Sequence, residues 1–356
     1  MNLLILSRYG RRGASSRLRA FQYLPALERA GIRASVLPLF TDDYLEDLYA
    51  GRGRNWVRVC GSYMRRLVAL RRARRFDLLW IEYELWPWLP GVLESQIVRA
   101  GVPYLVDYDD AIFHRYDFHR NPLVRALLGM KIDRILRRAA VVLAGNEYIA
   151  QRARRAGAPR VEVLPTVVDL ERYKALPATR RTEVMIGWIG SPTTAPYLRM
   201  VEGALREACR DSRTRVVLVG SGPIELSGVP LTIRPWSEET EAAEIGEFDI
   251  GIMPLPDTPW ERGKCGYKLI QYMACGKPVV ASPVGVNPEI VREGANGFLA
   301  QTEGEWVKAL AALRDDGAMR ERLGSAGRVA VEERYCLQVA APRLVAILQG
   351  AAAKRS

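Results

Sequence analysis

Between Pro259 and Val291 the sequence PWERGKCGYKLIQYMACGKPVVASPVGVNPEIV sets Lys264 and Lys268 on either side of Gly266, where a helix is predicted to start. Free backbone N–H groups and the positive end of a helix, with two ammonium groups beside them, make a site for phosphate oxygens. Gly263 and Gly266 allow the backbone to approach an anion closely. The plainer alternative is a pair of solvated lysines. A second concentration is DYDDAIFHRYDFH, which gathers Asp107, Asp109, Asp110, His114, Asp117 and His119 behind an apolar strand. Carboxylates this dense suit Mg or Mn. The favoured alternative sets Asp109 or Asp110 with His114 on a cleft floor, where a carboxylate takes the proton of a nearby hydroxyl. Asp110 is a candidate base or orienter on that reading, and a turn cap on the simplest one. The third concentration is the loop from Gly10 to Arg17, whose glycines and arginines at a helix start form an anion-binding concavity. It is not G-x-G-x-x-G, so a nicotinamide dinucleotide is unsupported.

The elements that must carry these groups are short apolar runs alternating with helical patterns. In the first half they are NLLILS (2–7), IRASVLP (32–38), DLLWIE (77–82), VPYLVDY (102–108), AAVVLAG (139–145) and VEVLP (161–165). The second half repeats the scheme with VMIGWIG (184–190), RVVLVG (215–220), LTIRPW (231–236), FDIGIMPL (248–255) and KPVVAS (277–282). Such alternation implies parallel sheets covered on both faces. Two doubly wound domains are therefore expected, 1–177 and 178–336, joined by the polar stretch around Pro177; the last helix (337–349) lies beyond the second sheet, where the pattern leaves its docking open. In sheets of this kind ligands bind beyond the carboxyl ends of the strands.

Composition narrows the classes. No apolar run is long enough to span a bilayer, and the start MNLLILSRYGRR runs apolar to basic, the reverse of a secretory signal, so a cytoplasmic protein is expected. Five scattered cysteines without a C-x-x-C pair fit reduced thiols, and no structural zinc is expected. The net charge of +12 is confined to the first half, where 30 basic residues meet 18 acidic ones; after residue 177 the numbers are 22 and 22. From Arg52 to Arg75 there are nine arginines and no acidic residue, interleaved with apolar side chains. That pattern is either a solvated basic face or an anionic-membrane surface. Nucleic acid is not expected, because no recognised binding module accompanies the charge.

The run KLIQYMACGKPVVASPVG with PEIV and GANGFL, together with GWIGSPTT (187–194), VLVGSGP (217–223), FDIGIMPL, LPTVVDLERY (164–173) and DYDDAIFH (107–114), resembles the family 4 or "group 1" retaining glycosyltransferases of the GT-B fold. The resemblance runs over nearly the whole chain. It implies an α/β protein with two Rossmann-like domains, the C-terminal one binding a UDP- or GDP-sugar and the N-terminal one an acceptor, the last helix (337–356) crossing back to the N-terminal domain, with no metal and no further cofactor. Carried onto this chain, Gly190, Ser191, Thr193 and Thr194 belong to the diphosphate or sugar site, although Ser191 to Thr193 also reads as a helix cap. Lys264 and Lys268 neutralise the leaving diphosphate beside Gly266. His114 matches a family histidine that contacts the transferred sugar. Gly13, Ser16 and Arg17 lie in the loop near donor and acceptor; Asn146 is either a cleft residue or a helix cap.

One departure stands out. The family usually carries two glutamates eight residues apart, where this chain has Gly263 and Gln271. Gln271 can still hydrogen-bond a ribose, and Glu261 is the possible substitute for the first glutamate. Members of this kind often glycosylate lipid-linked acceptors for surface polysaccharides, which implies a glycan or lipid-linked acceptor and a peripheral place at the inner face of the membrane. The competing readings are a degenerate nucleotide-sugar binder and an epimerase of the same architecture.

Overall fold

The computed structural model describes residues 1–49, 52, 55–94, 101–174 and 183–353. It divides into two compact units, Met1–Thr166 with Ala340–Ser356, and Val167–Val339. The first is built on a six-stranded sheet of β1 (Asn2–Leu6), β2 (Arg33–Val36), β3 (Leu78–Glu82), β4 (Tyr104–Tyr108), β5 (Val141–Ala144) and β6 (Val161–Val163), in the order β2-β1-β3-β4-β5-β6. Every pairing is parallel, with Ile5 opposite Trp80, Ile81 opposite Val106 and Val106 opposite Val142. Strands β3, β4 and β5 are buried at every position, because helices cover both faces; hence their unbroken apolar runs.

The second unit holds β7 (Val184–Ile189), β8 (Thr214–Val219), β9 (Leu231–Arg234), β10 (Ile250–Met253), β11 (Val279–Ala281) and β12 (Gly297–Leu299), in the order β12-β11-β10-β7-β8-β9 and again all parallel. The chain order reverses between β1 and β3 in the first sheet and between β7 and β10 in the second. Loops leaving the two strands at such a switch point part in opposite directions and open a crevice beyond their carboxyl ends. Strand β12 lies within GANGFL, a turn-like stretch in which the apolar-run criterion finds no strand. Only three residues long, it is an edge strand held by β11.

The division between the units falls before residue 177. Val168 exchanges backbone hydrogen bonds with the Tyr335–Leu337 segment, and Val168 and Tyr173 pack into the core around Tyr272 and Met273, so residues 167–174 belong with the second sheet. Pro177 itself lies outside the described residues. The last helix, Leu337–Ala352, enters the first unit from Ala340 onward and buries Leu344, Ile347, Leu348 and Ala351.

One buried ion pair ties the first unit's loops to its sheet. The Arg19 guanidinium donates to Asp107 Oδ1 at 2.6 Å from Nη2 and to the Leu164 carbonyl at 2.8 Å from Nη1, joining the first long helix segment, β4 and the residue after β6. Removing one partner strands a charge in the interior, so Arg19→Met should cost about 3–5 kcal/mol of stability in chemical denaturation. Arg19→Met with Asp107→Leu should recover much of that loss. An unchanged midpoint for the single variant would show that the pair does not bind these elements together.

Candidate active site

At the switch point of the second sheet, β7 ends at Ile189 and the chain turns through Gly190, Ser191, Pro192, Thr193 and Thr194. A Cβ on Gly190 would meet the Trp188 ring and lie 2.9 Å from the Lys268 side chain, so only glycine lets this loop and that lysine approach so closely. Ser191 Oγ lies 2.8 Å from Thr193 Oγ1, and the Thr194 amide donates to the Ser191 carbonyl at 2.9 Å, a turn that leads into the 3-10 helix Ala195–Val201.

The facing wall comes from the loop after β10 and the helix Tyr267–Ala274. Gly266 precedes that helix with a left-handed φ of 64°, and a Cβ there would strike Ile290. Lys268, in the first turn, reaches back across the crevice: its Nζ lies 4.7 Å from the Trp188 ring centroid and 3.4 Å from Thr194 Oγ1. Withdrawal from water, with Lys264 as a second cation nearby, pushes the Lys268 amine down to about 7. Lys264 lies with Nζ 5.4 Å from the Trp260 ring. Lys268 is thus half-buried against the Trp188 ring rather than set on a solvated face, and an anion placed between it and Lys264 would offset the cost of its charge.

Glu261 is buried; its carboxylate accepts from the Tyr197 hydroxyl at 2.5 Å and from Thr258 Oγ1. That arrangement braces the short helix Pro259–Arg262. Gln271 is also buried and donates from Nε2 to the Tyr173 hydroxyl at 2.7 Å. Tyr173 donates in turn to Glu241, which also accepts from Trp236 Nε1 at 3.0 Å. Gln271 is thus a neutral amide joined through Tyr173 to a carboxylate from another helix.

In the first unit, the crevice between β1 and β3 is lined by acids and hydroxyls. Gly13 leads into the helix Ala14–Arg19, whose Ser15 and Ser16 hydroxyls both reach Glu82 at the end of β3, at 2.9 and 2.5 Å. Ser15 also meets Asp109, just past β4, and Tyr83. Arg17 is buried behind this loop. Glu82 and Tyr83 are missed by sequence reasoning, and Ser15 is read only as part of the Gly10–Arg17 loop; the available signal is that DLLWIE ends on a carboxylate at a strand's carboxyl end. Asp110 is half-buried at the same strand end.

His114 lies one turn further on. Its Nδ1 is 2.9 Å from Asp117 and its Nε2 2.9 Å from the Tyr148 hydroxyl, with the ring stacked on Phe118 at 4.4 Å. We assign the ring proton to Nδ1, since Asp117 can only accept. Asp117 and Asp133 share Arg152, and Asp107 is paired with Arg19, so the acids of this stretch are spread over separate partners. Among the described residues no group of three or more histidine, cysteine or carboxylate side chains gathers in a metal-binding arrangement. Asn146 is buried and accepts from the Ile149 amide at 3.0 Å, the helix-cap role.

The loop after β3 is held unusually firmly. Tyr83 and Trp88 both take a left-handed φ of 64°. Glu94 accepts from the Leu85 and Trp86 amides, and Lys131 links Glu84, Glu94 and the Trp86 carbonyl in a buried network. Conformations costly for bulky residues persist where their surroundings over-determine them.

Residues 4–166 match the "Glycosyl transferase 4-like domain" and residues 184–316 the "Glycosyl transferases group 1" domain. The chain belongs to the group 1 glycosyltransferases, and its two parallel α/β sheets are those of the GT-B fold. It is similar to the D-inositol 3-phosphate glycosyltransferases of Kribbella flavida (28% identity over 198 residues, 47% of this chain and 46% of that one) and Nocardia farcinica (31% over 197 residues, 46% and 42%). The matched stretch is thus under half the length of these curated relatives. Among solved structures, sucrose-phosphate synthase from Thermosynechococcus elongatus is 16% identical with a TM-score of 0.72, covering 98% of each chain. Anabaena HepE in complex with UDP-glucose is 17% identical with a TM-score of 0.66, covering 98% of this chain and all of that one.

The depressed amine of Lys268 carries a stability consequence. The unfolded chain holds that proton up to the ordinary lysine range, whereas the folded chain sheds it near 7, so the lysine penalises folding most below pH 7 and progressively less as pH rises above it. Lys268→Met should therefore raise the thermal midpoint at neutral pH, with the gap to the parent closing toward about pH 10. A gap that stays constant with pH would contradict the depressed amine.

Proposed function

We propose that this chain is a retaining glycosyltransferase that moves a sugar from a UDP- or GDP-sugar, held by the second unit, to a lipid-linked or other membrane-associated glycan acceptor met by the first, in surface polysaccharide synthesis. The observation that carries the proposal is Lys268, a lysine pulled out of water against the loop 190–194 at the β7/β10 switch point. A diphosphate seated there would restore the ammonium form. As the glycosidic bond breaks, negative charge grows on the leaving diphosphate, and Lys268 and Lys264 offset it. Ser191, Thr193 and Thr194 contribute hydroxyls and N–H groups to the phosphates. Gln271 takes the ribose side, while Glu261 holds the loop that carries Lys264.

On the acceptor side, Asp109 and Asp110 orient the attacking hydroxyl, and His114 contacts the transferred sugar. Gly13, Ser16 and Arg17 shape the same loop. The leaving phosphate helps to deprotonate the acceptor on the same face, so no residue need act as a covalent nucleophile. The solved Anabaena HepE structures in complex with UDP and with UDP-glucose support the donor class.

A membrane setting at the inner face of the cell membrane is supported by the helix Trp56–Arg71. Trp56 and Val57 are 66% and 83% exposed, Met64 and Val68 are also exposed, and Arg65, Arg71 and Arg72 share its surface. Apolar side chains beside arginines suit a bilayer interface with anionic headgroups. Arg66, in contrast, belongs to the interior: it is 1% exposed and donates to the carbonyls of Ser7 and Leu37. Among the described residues no helix is long and apolar enough to cross a membrane.

Incubation with UDP- and GDP-sugars and a lipid extract should release nucleoside diphosphate, and Lys268→Ala should lower kcat/KM by about 100-fold or more with the fold intact. Tight donor binding without turnover would instead favour a degenerate sugar-nucleotide binder. Anionic phosphatidylglycerol vesicles should sediment the protein at low salt, and the triple substitution of Arg65, Arg71 and Arg72 by Ala should abolish this. Equal sedimentation of the variant would remove the membrane role from this helix.

A further inference from the structure

The oxygens around Ser15 outnumber the protons available to join them. Ser15 Oγ lies 2.9 Å from Glu82 Oε1, 2.8 Å from the Tyr83 hydroxyl, and 3.0 and 2.9 Å from the two oxygens of Asp109. Tyr83 donates its own proton to Asp109 Oδ1. The other Glu82 oxygen is already supplied: it accepts from the Arg8 amide at 2.8 Å and from Ser16 Oγ at 2.5 Å, while Ser16 accepts from the Tyr9 amide at 3.0 Å.

With both carboxyl groups ionised, the single Ser15 proton satisfies one of them and leaves its oxygen facing the other, lone pair against lone pair. A proton on Glu82 Oε1 removes the conflict. Glu82 then donates to Ser15, and Ser15 and Tyr83 both donate to Asp109. Burial assigns that proton to Glu82: it is 2% exposed, whereas Asp109 is partly open to solvent. The charged groups facing Glu82 are Asp109 from the end of β4 and Arg66 from the helix Trp56–Arg71; the Arg8 side chain turns away to Glu84. Burial first, then the Asp109 charge, push the Glu82 carboxyl up to about 7 against the hydrogen bonds of Ser16, Arg8 and Ser15.

We propose that Glu82 is a positioning residue that works as a neutral hydrogen-bond donor, turning the Ser15 hydroxyl onto Asp109 and so fixing the Asp109 carboxyl group against the acceptor's attacking hydroxyl. This rests on the reading of Asp109 as an acceptor contact. Ionisation of Glu82 would reverse the Ser15 proton and withdraw one of the two hydroxyl donors from Asp109. Transfer to the acceptor should then weaken as pH rises through about 7, separately from any change in donor binding.

The test has two arms on the full-length chain. In protein labelled with carbon-13 at the glutamate carboxyls, one resonance should titrate near neutrality and be missing from Glu82→Gln. If every glutamate resonance titrates in the ordinary carboxylate range, the proposal is overturned, whether or not a donor and acceptor have been found. In turnover, Glu82→Gln keeps a donor toward Ser15 and acceptors toward Arg8 and Ser16. It should exceed Glu82→Ala by about tenfold in kcat on the acid side and lack the decline above neutrality. Ser15→Ala, which leaves Glu82 in place, should lose kcat as Glu82→Ala does. Equal losses in Glu82→Gln and Glu82→Ala would show that the charge on Glu82 is what counts, and would sink the proposal. Absence of all turnover with a neutral-range resonance present would count against the transferase reading and leave the protonation of Glu82 established.

Discussion

A parallel strand covered by helices on both faces has no side left for polar chemistry, so polar side chains emerge at its carboxyl end. Both sheets of this protein obey that constraint, and their useful groups lie at the switch points it creates. In the second unit the strand ends bring a lysine against a hydroxyl-bearing turn; in the first they bring acids and hydroxyls together. The closeness in each case depends on local backbone features: glycine at 190 and 266 on one side, and on the other the strained Tyr83 and Trp88 held by the Glu84–Lys131–Glu94 network.

The two sites use burial in opposite senses. At Lys268, loss of water disfavours the cation, a cost that an anion seated beside it would offset. At Glu82, loss of water disfavours the anion and yields a neutral donor that organises its neighbours. The charge imbalance of the first half takes on a clearer meaning beside this. Among the described residues of the first unit, five buried cations (Arg8, Arg17, Arg19, Arg66, Lys131) are set against four buried carboxylates (Glu84, Glu94, Asp107, Asp133) and the neutral Glu82. The interior is therefore close to balanced, and most of the positive excess is carried at the surface, where an anionic partner can meet it.

Much of the fold was legible because buried parallel strands read as compact apolar runs; eleven of the twelve strands coincide with such runs. The exception, β12, is a three-residue edge strand whose existence depends on β11. The setting of Lys264 and Lys268 around a glycine at a helix start was legible too, whereas the approach of Lys268 to the Gly190 turn follows from the neighbouring of β7 and β10. What sequence could not convey was pairing across long separations. Ser15, Glu82 and Asp109 are far apart in the chain and meet only because β1, β3 and β4 are neighbours. Arg66 reads as one arginine among nine, yet its place on the helix turns it inward to carbonyls of the β1 and β2 loops. Asn146 and Glu261 show the converse: polar residues whose partners are structural, the Ile149 amide for one and the Tyr197 and Thr258 hydroxyls for the other.

The proposed function turns on whether the diphosphate of a sugar nucleotide rests at the β7/β10 crevice of the second unit. A crystal structure of the full chain with UDP-glucose bound tests this most directly. Phosphate oxygens are expected within hydrogen-bond distance of Lys268 Nζ and of the backbone between Gly190 and Thr194. A diphosphate seated instead on the Gly10–Arg17 loop of the first unit, with Lys268 still turned to Trp188, would contradict it.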